Sequence, residues 1–256
     1  MLEGATVQKN EVLRKMLPTR VRPRRIISGP LQGRLLATSW HDYPAALIGR
    51  AERDLIAWIQ ANARPGDTWL DVGANYGYTS LALCKSVGEG GRVFAFEPLL
   101  RTAGHLATTR SVNQLLQLTV VPLALGNSET LTPIRVPVWK GMAQPAGPGT
   151  HVTLDKALTE TIFSIGLDAV WTCFCGQNPR VAGIKIDVEG SEVAVLRGMR
   201  ATLRQYRPKL VIEVHRSRGV RLDEVFEEVS QSGYSPEPHV IEKTDREDPN
   251  LEFLPL

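Results

Sequence analysis

The sequence predicts an α/β protein: an open, mostly parallel sheet wound with helices on both faces. Three observations carry this. From residue 66 onward, short and nearly continuous apolar runs alternate with segments of helical period. The runs end at carboxylates followed closely by glycine or proline, as at Asp71, Glu97 and Asp187. The 256 residues, 43% hydrophobic and 22% charged, suffice for one large domain of ordinary globular composition.

Each element follows in order. Residues 1–45 read as a basic N-terminal arm or lid. Residues 1–34 hold eight Lys or Arg against Glu3 and Glu11, in a chain whose net charge is only +3. Such a run is either an arm drawn to nucleic acid or an acidic surface, or a solvated, partly disordered lead-in whose arginines cover the domain; the second reading is the commoner one. In "WHDYP" (40–44), Trp40, His41 and Tyr43 either form a lid over the site or pack the segment on the sheet edge. "RAERDLIAWIQAN" (50–62) predicts an opening helix, and "RPGD" (64–67) the turn after it. "TWLDV" (68–72) is the first core strand, and "YTSLALCKSV" (78–87) a helix stopped by "GEGG". "RVFAFEP" (92–98) is the second strand and "LRTAGHLATTRSVNQL" (100–115) the helix after it. "LTVVPLALG" (118–126) is the third strand. Residues 127–181, rich in proline, read as short strands and a substrate-side insertion. "GIKIDVEG" (183–190) is the fourth strand, and "SEVAVLRGMRATLRQY" (191–206) one amphipathic helix. "KLVIEVH" (209–215) is the fifth strand and "LDEVFEEVSQSG" (222–233) a helix. "SPEPHVIEK" and "LEFLPL" form a closing antiparallel pair.

Some classes are disfavoured at once. No stretch approaches the roughly 20 apolar residues of a membrane helix, and the N-terminus lacks the apolar core of a secretory signal. Cys84, Cys173 and Cys175 make no disulfide framework, which fits a reducing cytoplasm. "CFC" has too few partners for structural zinc, so its cysteines read as packing residues.

The loop "DVGANYG" (71–77) opens the question of a ligand. In an open parallel sheet, ligands bind beyond the carboxyl ends of the strands. Gly73 and Gly77 remove side chains where a ligand would approach the backbone. A dinucleotide loop needs G-x-G-x-x-G, and Asn75 stands where its middle glycine belongs. No Walker lysine follows, so a phosphate cradle is disfavoured. S-adenosylmethionine fits better, because it has no phosphate. Asp71 would take its amino group, directly or through water, and Glu97 its ribose hydroxyls. Tyr76, Pro98 and Ala124, on the same strand ends, join Gly73, Asn75, Gly77 and Asp187 as cofactor residues.

At these residues a resemblance appears. "GDTWLDVGANYGYTSLAL", "VFAFEP", "VVPLALGN", "VTLD", "IKIDVEGSEVAVLRGM" and "PKLVIEVH" resemble, in that order, the FkbM-type methyltransferases. The resemblance covers about residues 45–256 and is weakest over 130–181. "DVGANYG" and "KIDVEGSE" are its specific signatures. It implies a class I, Rossmann-like fold: a seven-stranded sheet with an antiparallel last strand. It also implies S-adenosylmethionine as donor, and acceptors that are mostly hydroxyls of small molecules and sugars. Residues 46–256 are then the methyltransferase domain, with the insertion at about 127–181. The chain departs in the long link between "TLD" and "IKID", which bears on the acceptor pocket more than on the cofactor site.

Methyl transfer from a sulfonium requires an aligned acceptor and removal of its proton. Asp187 is the first candidate for base or acceptor-positioning carboxylate. Lys185, two residues away on the same strand face, either holds Asp187 ionised or binds substrate. Glu189 and Glu192, at the start of a helix, are as well explained as helix-dipole partners. Glu213 and His215 share a face of the fifth strand, and His215 titrates near neutral pH. Asp187, Glu213 and His215 could also converge on a divalent metal, as carboxylates do in catechol-type O-methyltransferases; this is the less favoured reading. Two other functions compete: a nucleic-acid methyltransferase using the basic arm, and a non-catalytic cofactor-binding module. Against the first, strand four lacks a [DNS]-P-P-[FY] loop and no cysteine follows a proline. The expected partner is therefore a small-molecule or sugar acceptor, with neither nucleic acid nor membrane. A homodimer is permitted but not specified.

Overall fold

The computed structural model describes residues 17–137, 144–145, 157–176, 180–241 and 248–256. The charged stretch before residue 17 and the "VTLD" segment lie outside the described residues. The strands, in chain order, are β1 (Arg22–Arg25), β2 (Leu35–Thr38), β3 (Thr68–Val72), β4 (Arg92–Phe96), β5 (Leu118–Val121), β6 (Ala124–Leu125), β7 (Thr130–Pro137), β8 (Gln144–Pro145), β9 (Ala157–Ile165), β10 (Gly183–Ile186), β11 (Lys209–Glu213), β12 (His239–Val240) and β13 (Asn250–Phe253). The helices are α1 (Pro44–Leu47), α2 (Arg53–Asn62), α3 (Tyr78–Val87), α4 (Leu100–Val112), α5 (Leu167–Cys175), α6 (Glu192–Gly198), α7 (Arg200–Tyr206) and α8 (Leu222–Gln231).

Seven strands form the main sheet in the order β12-β13-β11-β10-β3-β4-β5. β5, β4, β3, β10 and β11 pair in parallel, and β13 runs antiparallel to both its neighbours. The closing antiparallel pair is thus present, with the last strand inserted inside the edge. The order reverses between β3 and β10, so the C-terminal ends of these two strands open the crevice in which sheets of this kind hold ligands.

Strand alternation divides the core into two layers. Leu70, Val72, Phe94, Phe96, Ile184, Ile186, Leu210 and Ile212 face the side covered by α5 to α8. Trp69, Val93, Ala95 and Val211 face the other, covered by α2, α3 and the β1–β2 hairpin. Ile26, Leu31 and Leu36 of that hairpin segment are buried in this second layer. Its exposed arginines therefore ride on a strand pair docked to the domain.

Four boundaries differ from the sequence reading, each for a local reason. The third strand is two: after β5, Pro122 interrupts the ladder and β6 joins a separate sheet of order β6-β9-β7-β8. The helix expected over 191–206 breaks at Met199, whose backbone leaves the helical region (φ −123°, ψ 16°). There Gly198 abuts Gly126; a Cβ on Gly198 would lie 1.7 Å from the Gly126 carbonyl oxygen. The helix over 100–115 ends at Val112, and the opening helix starts only at Arg53. The proline-rich stretch contains a long antiparallel pairing, β7 with β9 from Thr130↔Ser164 to Pro137↔Ala157. Cys175 is packed as expected, but Cys173, on the outer side of α5, is exposed. Among the described residues, no helix is long and apolar enough to cross a membrane.

Candidate active site

The β3 to β11 strand ends carry an unusual amount of buried charge. Alternation sends Asp71, Lys185 and Glu213 to the same face of the sheet as Trp69 and Val211. The parallel register places Lys185 beside Asp71. Lys185 is 2% exposed, and its ammonium lies 3.1 Å from the Gly73 carbonyl oxygen, 3.4 Å from Asp71 Oδ1 and 3.2 Å from Asp187 Oδ2. Burial alone would lower its pKa, but Asp187 and Asp71 hold it well above the usual lysine value. The Lys185–Asp187 pairing is as expected. The second partner, Asp71, comes from strand register and was not foreseen. Lys185 thus lies between the two carboxylates and donates a hydrogen bond to the Gly73 carbonyl.

Asp71 is fully buried. Its Oδ2 accepts hydrogen bonds from Thr79 Oγ1 (2.8 Å) and Ser80 Oγ (2.5 Å) on α3. It anchors the loop from beneath, and it is not among the residues that line the cleft. Gly73 and Gly77 also serve the packing of the protein itself. Both have positive φ (79° and 90°), but the close neighbours are protein: a Cβ at 73 would sit 1.7 Å from the Asp187 carbonyl oxygen, and one at 77 would sit 2.4 Å from Leu106 Cδ1. The glycines let two loops and a helix touch. Gly73 still lines the cleft with its backbone. Tyr76 is turned away, buried in the core layer and stacked on His105 at 5.8 Å.

The cleft lies over the C-terminal ends of β3, β4 and β10, open to solvent on one side. Asn75, Glu97, Pro98, Ala124 and Asp187, all expected, line it. Glu97 accepts hydrogen bonds from the backbone N–H groups of Asn75 (3.0 Å, Oε2) and Leu99 (3.1 Å, Oε1). Burial pushes its pKa up to about 7, while these two donors pull it back. Asn75 takes the left-handed conformation (φ 49°), and its Oδ1 is buried without a hydrogen-bond partner. Ile134 of β7 and Ile162 of β9 complete the wall, so the insertion does contribute to the site.

Beside the cleft, His215 donates through Nδ1 to Glu192 Oε1 (2.5 Å) and turns Nε2 toward Asp187 Oδ1 (3.6 Å) and Glu189 Oε2 (3.9 Å). Burial disfavours the imidazolium, but the Glu192 hydrogen bond and the Asp187 charge outweigh it and raise the pKa to about 9. These neighbours favour the protonated ring. Glu192 is a buried histidine partner, not a surface helix-dipole acid. Glu213, half-buried, is raised to about 8 by burial and by the Asp187 charge. Glu189 pairs with Arg218 (3.1 Å).

One contributor, Glu52, is absent from the sequence reading. Tyr43 donates its hydroxyl to it, and burial raises the pKa of both groups. The Glu52 carboxylate feels the charges of Lys185, Asp187 and Asp71. The "WHDYP" segment thus reaches the site through Tyr43. Glu52 sits in the left-handed conformation (φ 47°) just before α2. Nothing in "RAERD" marks it apart from an ordinary helix-start acid.

Comparison with known proteins adds a lineage. The methyltransferase FkbM domain matches residues 71–236. The hexuronic acid methyltransferase AglP of Haloferax volcanii is 31% identical over 191 residues, covering 73% of this chain and 72% of its own. Among solved structures, an FkbM methyltransferase from Methylobacillus flagellatus KT superposes with a TM-score of 0.51 at 20% identity over 77% of this chain. The match spans half of that protein's length. The shared architecture is the class I methyltransferase fold.

Proposed function

The chain belongs to the FkbM methyltransferase family, and from that premise we propose that it moves a methyl group from S-adenosylmethionine to a hydroxyl oxygen of a sugar or similar small polar acceptor. The observation that carries the reading is the pairing of Glu97 and Asn75 at the cleft wall. A carboxylate already fixed by two backbone donors keeps lone pairs for a ribose diol, and the buried, unpartnered Asn75 Oδ1 waits for a donor. Phe96, Pro98, Leu123 and Ala124 supply an apolar slot suited to an adenine ring. When bound, the cofactor would supply a methyl group activated by its sulfonium charge.

The remaining work falls to the chain's own residues. Lys185 fixes Asp187, which is 25% exposed at the cleft and the carboxylate best placed to orient an acceptor hydroxyl and draw off its proton. Ile134 and Ile162 keep water from one side. A sugar acceptor is favoured because the 31% identical relative bears the name of a hexuronic acid methyltransferase.

Thermal unfolding with and without S-adenosylhomocysteine tests the cofactor, and labelled methyl transfer to a panel of uronic acid and neutral glycosides tests the acceptor. Saturable stabilisation is expected. No shift at millimolar ligand would remove the cofactor assignment. Turnover on RNA but on no glycoside would replace the acceptor.

A further inference from the structure

We propose that Asp187, Glu213 and His215 form a divalent-cation site at the edge of the cleft, with Glu192 as the residue that orients the histidine. One potential ligand atom from each of the three lies within 4.8 Å of the others. Atoms sharing an ion at about 2.1 Å are at most ~4.2 Å apart, so a side-chain shift of well under ~1 Å closes the set. Three protein ligands leave coordination positions open, as catalytic sites require.

Two further observations point to an ion, apart from the acidic grouping. The first is the histidine. His215 is 5% exposed, yet its Nε2 has no hydrogen bond among the described residues; its nearest carboxylate oxygen is Asp187 Oδ1 at 3.6 Å. The opposite nitrogen is held by Glu192, which is fully buried and also accepts from the Gly190 N–H at 3.2 Å. A carboxylate on one ring nitrogen and a free direction on the other is the arrangement that orients metal-ligating histidines. The second is crowding. Among the described residues, the carboxyl groups of Asp71, Asp187, Glu192, Glu213 and Glu52 gather around Lys185 and His215, and a bound cation would favour the ionised form of Glu213. The two oxygens of Asp187 also face different partners: Oδ2 faces Lys185, while Oδ1 faces His215.

One nitrogen and two carboxylates suit a first-row cation such as Mn²⁺. Binding exchanges the Nε2 proton for the ion. The inference rests on the methyl-transfer reading only for its remaining ligands, which would be acceptor hydroxyl oxygens reaching past Asp187.

The test is Mn²⁺ titration of the full chain, stripped with EDTA and dialysed, followed by electron paramagnetic resonance. Saturable binding of one Mn²⁺ per chain is expected. Glu192→Gln should weaken it ~10–100-fold, and Glu213→Gln and His215→Asn at least as much. Circular dichroism and S-adenosylhomocysteine stabilisation, read on the same samples, establish that the variants are folded. Should His215→Asn fail to fold, the near-isosteric Glu213→Gln decides. Absence of saturable binding by wild type, or unchanged binding in the folded variants, overturns the site. Lost Mn²⁺ binding with intact S-adenosylhomocysteine stabilisation leaves methyl transfer standing; the converse removes methyl transfer and keeps the ion.

Discussion

Replacing Lys185 by methionine tests the central electrostatic claim. The side chain keeps its length but loses the charge that lies 3.4 Å from Asp71 and 3.2 Å from Asp187. At an effective dielectric of about 20, each contact is worth roughly 5 kcal/mol before desolvation is subtracted. Removing one partner of a buried pair costs about 3–5 kcal/mol net, because the survivor stays buried and unpaired. Here the survivor that matters is Asp71, which has no access to water; Asp187 recovers part of its loss through its exposed quarter. For a chain of this size, 1 kcal/mol corresponds to about 2–4 °C, so Tm should fall by roughly 6–20 °C. The double variant Lys185→Met, Asp71→Asn should regain at least about half of the loss, since a neutral amide can still bond with Thr79 and Ser80. Urea and thermal unfolding of wild type, both single variants and the double complete the cycle. A single-variant loss below about 1 kcal/mol, or a double variant no better than Lys185→Met, would refute the claim that Lys185 exists to neutralise Asp71.

Three other variants have outcomes set by their local geometry. Glu97 has a folded pKa of about 7, raised by burial; its contribution to stability is full below the unfolded value of about 4.3 and lost as pH rises through 7. Glu97→Gln should flatten that decline in pH-dependent melts, and should weaken S-adenosylhomocysteine binding about 10–100-fold above pH 7 on calorimetry, where the wild-type carboxylate is ionised. Gly73→Ala should cost about 2–4 kcal/mol in urea unfolding, because its Cβ would meet the Asp187 carbonyl at 1.7 Å; exposed, helical Gly104, with nothing within 4 Å, should instead gain about 0.5–1 kcal/mol on Gly104→Ala.

The succession of core strands along the chain and the carboxylates at their ends were legible because both are written locally. An apolar run with a terminal acid announces a strand and its functional edge at once. What each acid does was less legible. Asp71 and Glu97 look alike in sequence, yet strand alternation directs one under α3 and leaves the other at the cleft. Lys185 and Asp71 are 114 residues apart and meet only through strand register. At glycines 73 and 77 the sequence shows room for a ligand, but a one-dimensional string does not show that Asp187 and Leu106 also arrive there. The histidine's protonation depended on Glu192, whose helix-start position suggested a blander role.

The cleft has a floor and a roof of different origin. The floor is the edge of the parallel sheet, tied together by Lys185 and by backbone contacts too close to admit a methyl group. The roof, through Ile134 and Ile162, belongs to a strand pair spliced into the crossover between β5 and β10. A cassette inserted at one point of the chain can be exchanged without re-tuning what it covers. On the proposed reading, a protein engineer seeking a new acceptor would therefore graft at the β7–β9 cassette first.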